Sequence, residues 1–404
     1  MTKLFENLGL EINISSAGIG ASARNDLAIL NFKKPVQIVG LFTKNKILAS
    51  PVKVCKEHIN RVTQPGKIAL IVNSGCANAC TGRVGDETCI KIASYLAEKL
   101  ELGADQIFPF STGEILKELP EKKMLAGIDK ALENPCGNFE DFAEAIMTTD
   151  KVKKIVYEQL QVGEKEYSIF GIAKGSGMIS PNMATMLAYI LTDIPFEIHD
   201  FQELHRNTCE TTFNSISVDG EMSTNDSFVG VCSGNTAIDK FNEKIDKTSN
   251  GWEAIVNSYK RVCYQLAVKI VEDGEGSTRI VELKVDHALT FEDADNVARS
   301  IANSPLVKTA IFAGDPNLGR ILSAIGACSI SSVEPYNISI TINDYLAIQN
   351  GTLAAGYEEK VARDLMQRKR IRLLVSLGVG VKSRRLIFCD LSYDYVKINA
   401  EYRT

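Results

Sequence analysis

Apolar and polar positions follow two periods along this chain, and the two alternate. Leu10–Ile14, Leu27–Phe32 and Val36–Phe42 are short apolar stretches of strand character. Lys67-Ile-Ala-Leu-Ile-Val72 is an unbroken apolar run closed by Asn-Ser-Gly, the pattern of a fully buried strand. From Asp86 to Leu100 the period changes: Ile90, Ile92, Ala93, Leu96, Ala97 and Leu100 recur at helical spacing. Tyr167–Ala173 and Thr185–Leu191 read as strands that bracket the glycine loop after Lys174, and Phe196–Phe213 is polar and helix-like. Glu253–Val271 reads as a long amphipathic helix stopped by Asp273-Gly-Glu-Gly276. Further strands are expected at Ile280–Val285, Val307–Phe312, Ile338–Ile342, Ile371–Val375 and Leu386–Cys389. Alternation of this kind predicts an α/β protein. No repeat, low-complexity tract or proline-rich linker marks a domain boundary.

Charge narrows the class of partner. The 404 residues carry a formal net charge of −5, with both signs interspersed, and so lack the basic excess of a nucleic-acid-binding surface. The dense basic runs Arg368–Arg372 and Lys382–Arg385 read as solvated positions at the ends of a helix and a strand. No apolar run is long enough to span a membrane, and Met1-Thr-Lys-Leu-Phe-Glu-Asn7 lacks the pattern of a signal peptide. The ten cysteines have no framework of spacings; Cys76 and Cys80 are four apart, and Cys232, Cys263 and Cys389 sit in apolar company. The expected compartment is the reducing cytoplasm.

The chemistry concentrates between Lys174 and Asp193. A basic residue and two glycines lead through a proline turn to Ala184-Thr185, and an apolar run from Met186 to Leu191 follows. A hydroxyl at the mouth of a buried strand is a way of presenting a nucleophile, but ordinary bases are scarce. The four histidines, His58, His199, His205 and His287, lie in no cluster with Cys, Asp or Glu. His199 and His205 are six apart, on different faces of a helix, and read as solvated or partly packed. That argues against a Ser-His-Asp triad and against a bound metal. Small polar clusters stand at the joints between elements: Asn73–Ala79, Phe110–Gly113, Met147–Asp150, Asn214–Gly220, Ser223–Asp226, Asp273–Thr278 and Gly314–Asn317. Each alone is a turn; together they sit where open α/β sheets place ligands. Gly18-Ile-Gly-Ala-Ser-Ala23 matches a dinucleotide fingerprint, but the apolar run that follows reads as strand instead of helix. Lys174-Gly-Ser-Gly177 has its lysine before the glycines, the reverse of a phosphate-binding P-loop.

The run from Lys174 to Asp193 resembles the self-cleaving segment of the ornithine acetyltransferases, or glutamate N-acetyltransferases, of arginine biosynthesis. The resemblance extends over nearly the whole chain. Asn73–Gly82, Ser111–Gly113, Met147–Asp150, Thr212–Gly220, Asp273–Gly276, Ala313–Asn317 and Ile398–Thr404 resemble that family's motifs in order and spacing. Four places depart from it. Cys76 stands where the family usually has asparagine and Leu318 where it has tryptophan; Glu114 replaces an apolar residue; Ser15–Gly20 is a looser glycine-rich start. None is a residue expected to do chemistry, although Glu114 stands next to the expected oxyanion site and could tune it.

The resemblance implies a two-sheet α-β-β-α sandwich, similar to N-terminal-nucleophile hydrolases but of different topology. It implies self-cleavage between Ala184 and Thr185 into chains 1–184 and 185–404 that stay in one folded unit, two of each forming a heterotetramer. The freed α-amine of Thr185, with an ordinary pKa of about 8, would then serve as base for its own hydroxyl, so no histidine is needed. Acetyl would pass from N-acetylornithine to Thr185 and on to glutamate, with Thr112 and Gly113 stabilising the oxyanion. Thr148, Thr149, Lys174, Thr185, Glu275, Asn399 and Thr404 are the implied substrate contacts, Thr148 being favoured over Thr149. Lys174 suits a substrate carboxylate and Glu275 an ornithine δ-ammonium. No cofactor or metal is implied; acetyl-CoA is a candidate second acetyl donor to glutamate. The rival readings are a self-processing aminopeptidase of the same fold, a nucleotide-dependent oxidoreductase and a non-enzymatic binding protein.

Overall fold

The computed structural model describes residues 2–20, 24–133, 135, 137–180, 186–234, 244–330 and 332–401. Two mixed sheets organise them. In the first, strands lie in the order Ile107–Ser111, Gly66–Asn73, Leu27–Phe42, Ser227–Ser233, Leu187–Thr192, Lys165–Lys174 and Lys154–Val162, with Leu10–Ser15 paired to the early part of Leu27–Phe42. The second runs Thr352–Leu353, Tyr345–Gln349, Ser339–Ile342, Arg370–Ser376, Ile280–Ala288, Lys382–Cys389 and Ile216–Ser217.

The apolar stretches on either side of Lys33-Lys-Pro35 are one strand. Its register with Gly66–Asn73 slips between Phe32 and Val36, around a proline that has no amide to donate. Before the slip it pairs with Leu10–Ser15, and after it with Ser227–Ser233. The first sheet therefore has two wings, and they share an apolar core. Leu30, Leu70, Val72 and Phe110 from one wing join Phe170, Tyr189, Leu191 and Val231 from the other, and the Phe110 and Tyr189 rings meet edge to face at 5.3 Å. Outside one wing, helices Gly82–Leu100 and Glu121–Glu133 bury Ile92, Leu96, Met124 and Ile128 against Ile29, Ala69, Ile71 and Ile107. Outside the other, helices Ile198–Thr211 and Trp252–Glu272 bury Phe201, Leu204, Tyr259, Val262 and Leu266 against Ile169, Ile190 and Phe228. The layers are helix, sheet, sheet, helix. Each fully buried Leu, Ile, Val or Phe in them contributes about 1.5–3 kcal/mol.

The second sheet packs Leu283, Val285, Leu373, Val375 and Phe388 against helices Phe291–Asn303, Pro305–Ala313 and Leu318–Gly326. Ile387 and Cys389 on its opposite face join the core of helix Trp252–Glu272. Among the described residues no helix is long and apolar enough to cross a membrane.

The structure corrects one expected strand. Val307–Phe312 lies in helix Pro305–Ala313. Ser304 caps it by accepting from the Val307 amide, and Pro305 occupies the first turn. Val307, Ala310 and Ile311 then face the core at helical spacing. A short continuous apolar run does not distinguish the two periods; the cap does. His205 also departs from the solvated or partly packed reading. It is fully buried, donating from Nε2 to the Phe228 carbonyl at 3.0 Å and accepting from the Tyr259 hydroxyl at Nδ1 at 2.7 Å.

Candidate active site

Bending the first sheet brings strand ends from both wings together. Gly66–Asn73 and Ile107–Ser111 are parallel and finish side by side, with Asn73 opposite Ser111. Leu187–Thr192 and Ser227–Ser233 are parallel and start side by side, with Leu187 opposite Ser227 on one side and Lys174 on the other. Asn225 joins the two groups: its side-chain amide donates to the Ser111 carbonyl at 2.8 Å and the Ala77 carbonyl at 2.7 Å.

A cavity of about 240 Å³ opens at this junction, room for a small ligand. Its lining includes Thr112, Gly113, Thr148, Thr149, Lys174, Glu275 and Asn399. These residues span positions 112 to 399 and come from five separate segments. Ala184, Thr185 and Thr404 lie outside the described residues, which stop at Ser180 and resume at Met186, both buried.

The Thr112–Gly113 turn is held from both sides. The Thr112 amide donates to the Asn73 carbonyl at 3.0 Å, and the Thr112 carbonyl accepts from the Cys76 amide at 3.1 Å. Gly113 has φ +129°, and a Cβ there would lie 2.6 Å from the Cys76 nitrogen, so only glycine fits. The Thr112 hydroxyl oxygen accepts from the Lys174 ammonium at 3.0 Å, which leaves its own proton to be donated elsewhere. Among the described residues no hydrogen bond engages the Gly113 amide. Glu114, one of the departures noted above, is directed to an ion pair with Lys117 at 3.7 Å. Cys76 is buried, its thiol donating to the Lys117 carbonyl at 3.2 Å.

Lys174 also donates to the Thr148 hydroxyl at 2.7 Å. Burial lowers the pKa of its ammonium, and nearby Lys154 adds to that effect, outweighing Asp150, Asp226 and Glu275. Burial likewise disfavours the charged form of Asp150, but the Lys174 and Lys154 ammoniums and the Gly175 amide outweigh it and hold this carboxyl well below the usual range. Across the cavity, Glu275 follows the end of helix Trp252–Glu272, and its amide donates to the Ser176 carbonyl. Its carboxylate lies over Gly177, where a Cβ would come within 2.5 Å of it, and accepts from the Asn399 side chain at 2.7 Å. Asn399 is on the terminal helix Tyr393–Glu401.

Several lining residues were not picked out as contacts from the sequence: Met178, Asp219, Glu221, Asn225 and Tyr395. Asp219 accepts from the Met178 and Ile179 amides at 2.6 and 2.9 Å, and burial raises its pKa. Val-Asp-Gly220 and Ser-Thr-Asn-Asp226 were visible as polar clusters, whereas nothing in the sequence marked Tyr395. The described part of the Gly18–Ala23 stretch, Gly18 to Gly20, is not arranged for phosphate. The amides of Ala17, Ile19 and Gly20 already donate to the Asp26 carboxylate at 2.7, 2.6 and 3.1 Å, and 21–23 lie outside the described residues. No histidine lines the cavity, and among the described residues no group of three His, Cys, Asp or Glu side chains is placed to hold a metal.

A layered α/β body whose cavity presents a hydroxyl, a peptide N–H, an ammonium and a carboxylate has the parts to bind a small zwitterion and to stabilise an oxyanion. Comparison identifies the line of descent. The chain belongs to the ArgJ family, whose model matches residues 11–404. It is 38% identical over 410 residues to the arginine biosynthesis bifunctional protein ArgJ of Colwellia psychrerythraea, covering 98% of this chain and 96% of that protein. Among solved structures it is similar to arginine biosynthesis bifunctional protein ArgJ from Bacillus halodurans, at 33% identity over 52% of this chain and 96% of the other, with a TM-score of 0.47. It is also similar to ornithine acetyltransferase complexed with ornithine from Mycobacterium tuberculosis, at 31% identity over 43% and 92%, with a TM-score of 0.37. Family membership along almost the whole length sets the aminopeptidase reading aside.

Proposed function

We propose that this protein is a glutamate N-acetyltransferase of arginine biosynthesis that moves acetyl from N-acetylornithine to glutamate. The observation that carries the reading is convergence: Thr112, Gly113, Thr148, Thr149, Lys174, Glu275 and Asn399 line one cavity in a chain that matches the ArgJ family from residue 11 to residue 404.

The chemistry proceeds in two halves. The chain cuts itself between Ala184 and Thr185, and the new α-amine takes the proton of the Thr185 hydroxyl as that oxygen attacks the acetyl carbonyl of N-acetylornithine. The tetrahedral oxyanion is met by the Thr112 hydroxyl and the Gly113 amide. A single donor of this kind is worth about 3 kcal/mol in the transition state. The C–N bond breaks, ornithine leaves with the proton, and acetyl stays on Thr185. Glutamate then attacks this ester through its amine and leaves as N-acetylglutamate, restoring the hydroxyl. Lys174 pairs the substrate carboxylate, while Glu275, oriented by Asn399, takes the ornithine δ-ammonium. Thr148, bonded to Lys174, and Thr149, on the same cavity wall, contact the substrate, and Thr404 completes the contact set. Acetyl-CoA serves as a second donor for glutamate. The 1–184 and 185–404 chains remain one folded unit and pair into a cytoplasmic heterotetramer.

Intact mass and denaturing electrophoresis test the reading. Wild type should give two fragments meeting at Ala184/Thr185 and should acetylate glutamate from N-acetylornithine. Thr185→Ala should give one uncut, inactive chain. An uncut wild type with full activity sinks the mechanism. Acetylation of glutamate from acetyl-CoA with N-acetylornithine absent tests the second donor.

A further inference from the structure

Lys154 does not line the cavity, yet three of the segments that do are tied together through it. Its side chain is fully buried, and its ammonium donates to Asp150 Oδ1 at 2.6 Å and Asp273 Oδ2 at 2.5 Å. Asp150 in turn accepts from the Thr148 amide at 3.0 Å and the Gly175 amide at 2.7 Å, fixing the backbone beside two lining residues. Asp273 accepts from the Lys151 and Val152 amides, and its carbonyl accepts from the Ser176 hydroxyl at 2.6 Å, two residues before Glu275.

The position of Lys174 in this cluster is telling. Its ammonium stops 4.0 Å from Asp150 Oδ2 and bonds instead to two neutral hydroxyls, Thr112 and Thr148. A buried ammonium that close to an unshared carboxylate gains strongly by closing to contact. Asp150 is not unshared: Lys154 is already in contact with it. We propose that Lys154 is a positioning residue for the acyl-transfer site. By satisfying Asp150 and Asp273 it keeps the Lys174 ammonium on Thr112 and Thr148, free to take a substrate carboxylate, and it ties the Thr148 segment to the turn that carries Glu275. The tie crosses Ala184/Thr185, since Asp150 and Lys154 precede that bond and Asp273 follows it. This inference rests on the function proposed above for the same cavity.

Among the described residues the charged groups facing Lys174 are Asp150, Lys154, Asp226 and Glu275, so changes at the cluster should move its titration in opposite directions. Lys154→Met removes a like charge and frees Asp150, raising the Lys174 midpoint. Asp273→Asn leaves Lys154 to Asp150 alone, weakening the hold of Asp150 on Lys174 and lowering the midpoint. Lys154→Arg should restore the wild-type value. The midpoint is read on the full chain, without turnover, by pulse labelling with deuterated acetic anhydride at graded pH and peptide mass spectrometry of Lys174. In turnover, Lys154→Met should raise KM for N-acetylornithine more than it lowers kcat. Midpoints that stay put, or shift the same way in both variants, overturn the proposal. If Lys154→Met fails to fold, the downward shift in Asp273→Asn decides alone. A wild type that titrates as described but moves no acetyl overturns the transferase reading instead.

Discussion

The two sheets use the same charged residue types to different ends. At the junction of the first sheet's wings, Asp150 and Lys154 side chains are fully buried and Lys174 is one-tenth exposed. Each of the three has at least two polar contacts that fix its geometry. On the second sheet, Arg370 pairs with Glu272, Arg372 with Asp344 and Lys284 with Asp286, all with the basic side chain 41–62% exposed. Water and salt screen those pairs, and each is worth about 0–1 kcal/mol. In the first setting removal of a charge leaves a partner stranded in low dielectric; in the second, water replaces it. Arg384 departs from the solvated reading of Lys382–Arg385: it is buried on the second sheet, paired with Asp295 at 2.7 Å and donating to the Glu210 and Asn214 carbonyls. Elsewhere identical letters mark a site in one place and a solvated face in the other.

The largest effect is expected at the cavity. Lys174→Met should keep the fold but lower kcat/KM for acetyl transfer by roughly 100-fold or more, because it removes both the carboxylate partner and the donor to Thr112. A loss of less than tenfold in steady-state assays would remove Lys174 from the mechanism. Gly113→Ala comes next. The added Cβ meets the Gly75–Cys76 backbone at about 2.6 Å, and non-glycine backbone in that region costs about 1–3 kcal/mol. Transfer should fall by at least tenfold, with a melting temperature lowered by a few degrees. An unchanged rate would show that the turn relaxes without moving the Gly113 amide.

A third test concerns a buried group away from the cavity. Burial pulls the His205 pKa down to about 3, below the ordinary value of about 6.5 for an unfolded chain. Between those pH values the unfolded chain binds a proton that the folded chain refuses. Stability is therefore fully present above about 6.5 and is lost as pH falls towards 3, by at most about 1.4 kcal/mol per unit from this residue. Urea unfolding midpoints from pH 7 to 4.5 should fall more steeply for wild type than for His205→Gln. Equal slopes would mean that His205 gains its proton without unfolding. The smallest effect is expected on the second sheet: Arg372→Ala should change unfolding free energy by less than about 1 kcal/mol and leave transfer unaltered. A larger loss would erase the contrast between the sheets.

Legibility followed the range of the interactions. Strands with long apolar runs, such as Gly66–Asn73 and Lys165–Lys174, and the helices Gly82–Leu100 and Trp252–Glu272 were readable because their periods are local. Pro305–Ala313 was misread because its identity rests on the Ser304 cap. The central strand Ser227–Ser233 was not legible because Gly230 interrupts its apolar run, packed where a Cβ would meet Phe201 and Val39. Among lining residues, Thr112, Gly113, Thr148, Lys174 and Glu275 stand in motifs that could be matched by order and spacing, while Tyr395 stands in none.

By itself the sequence presented a threonine at the start of an apolar run and too few histidines to activate it, because residue types limit what protons a chain can handle. The acyl-transfer expectation came from the resemblance of its ordered polar motifs to a known family. Only the tertiary structure decided which residues meet. Asn225, just before strand Ser227–Ser233, meets the Ser111 carbonyl at the end of a strand in the other wing, and Glu275 is placed over Gly177 with Asn399 from the last described helix. Lys154 shows the difference most clearly. In sequence it is one of three lysines in Lys151-Val-Lys-Lys154, with nothing to set it apart; in the fold it is buried between two carboxylates. Burial is a property of the whole packing, and burial sets what a charge is worth.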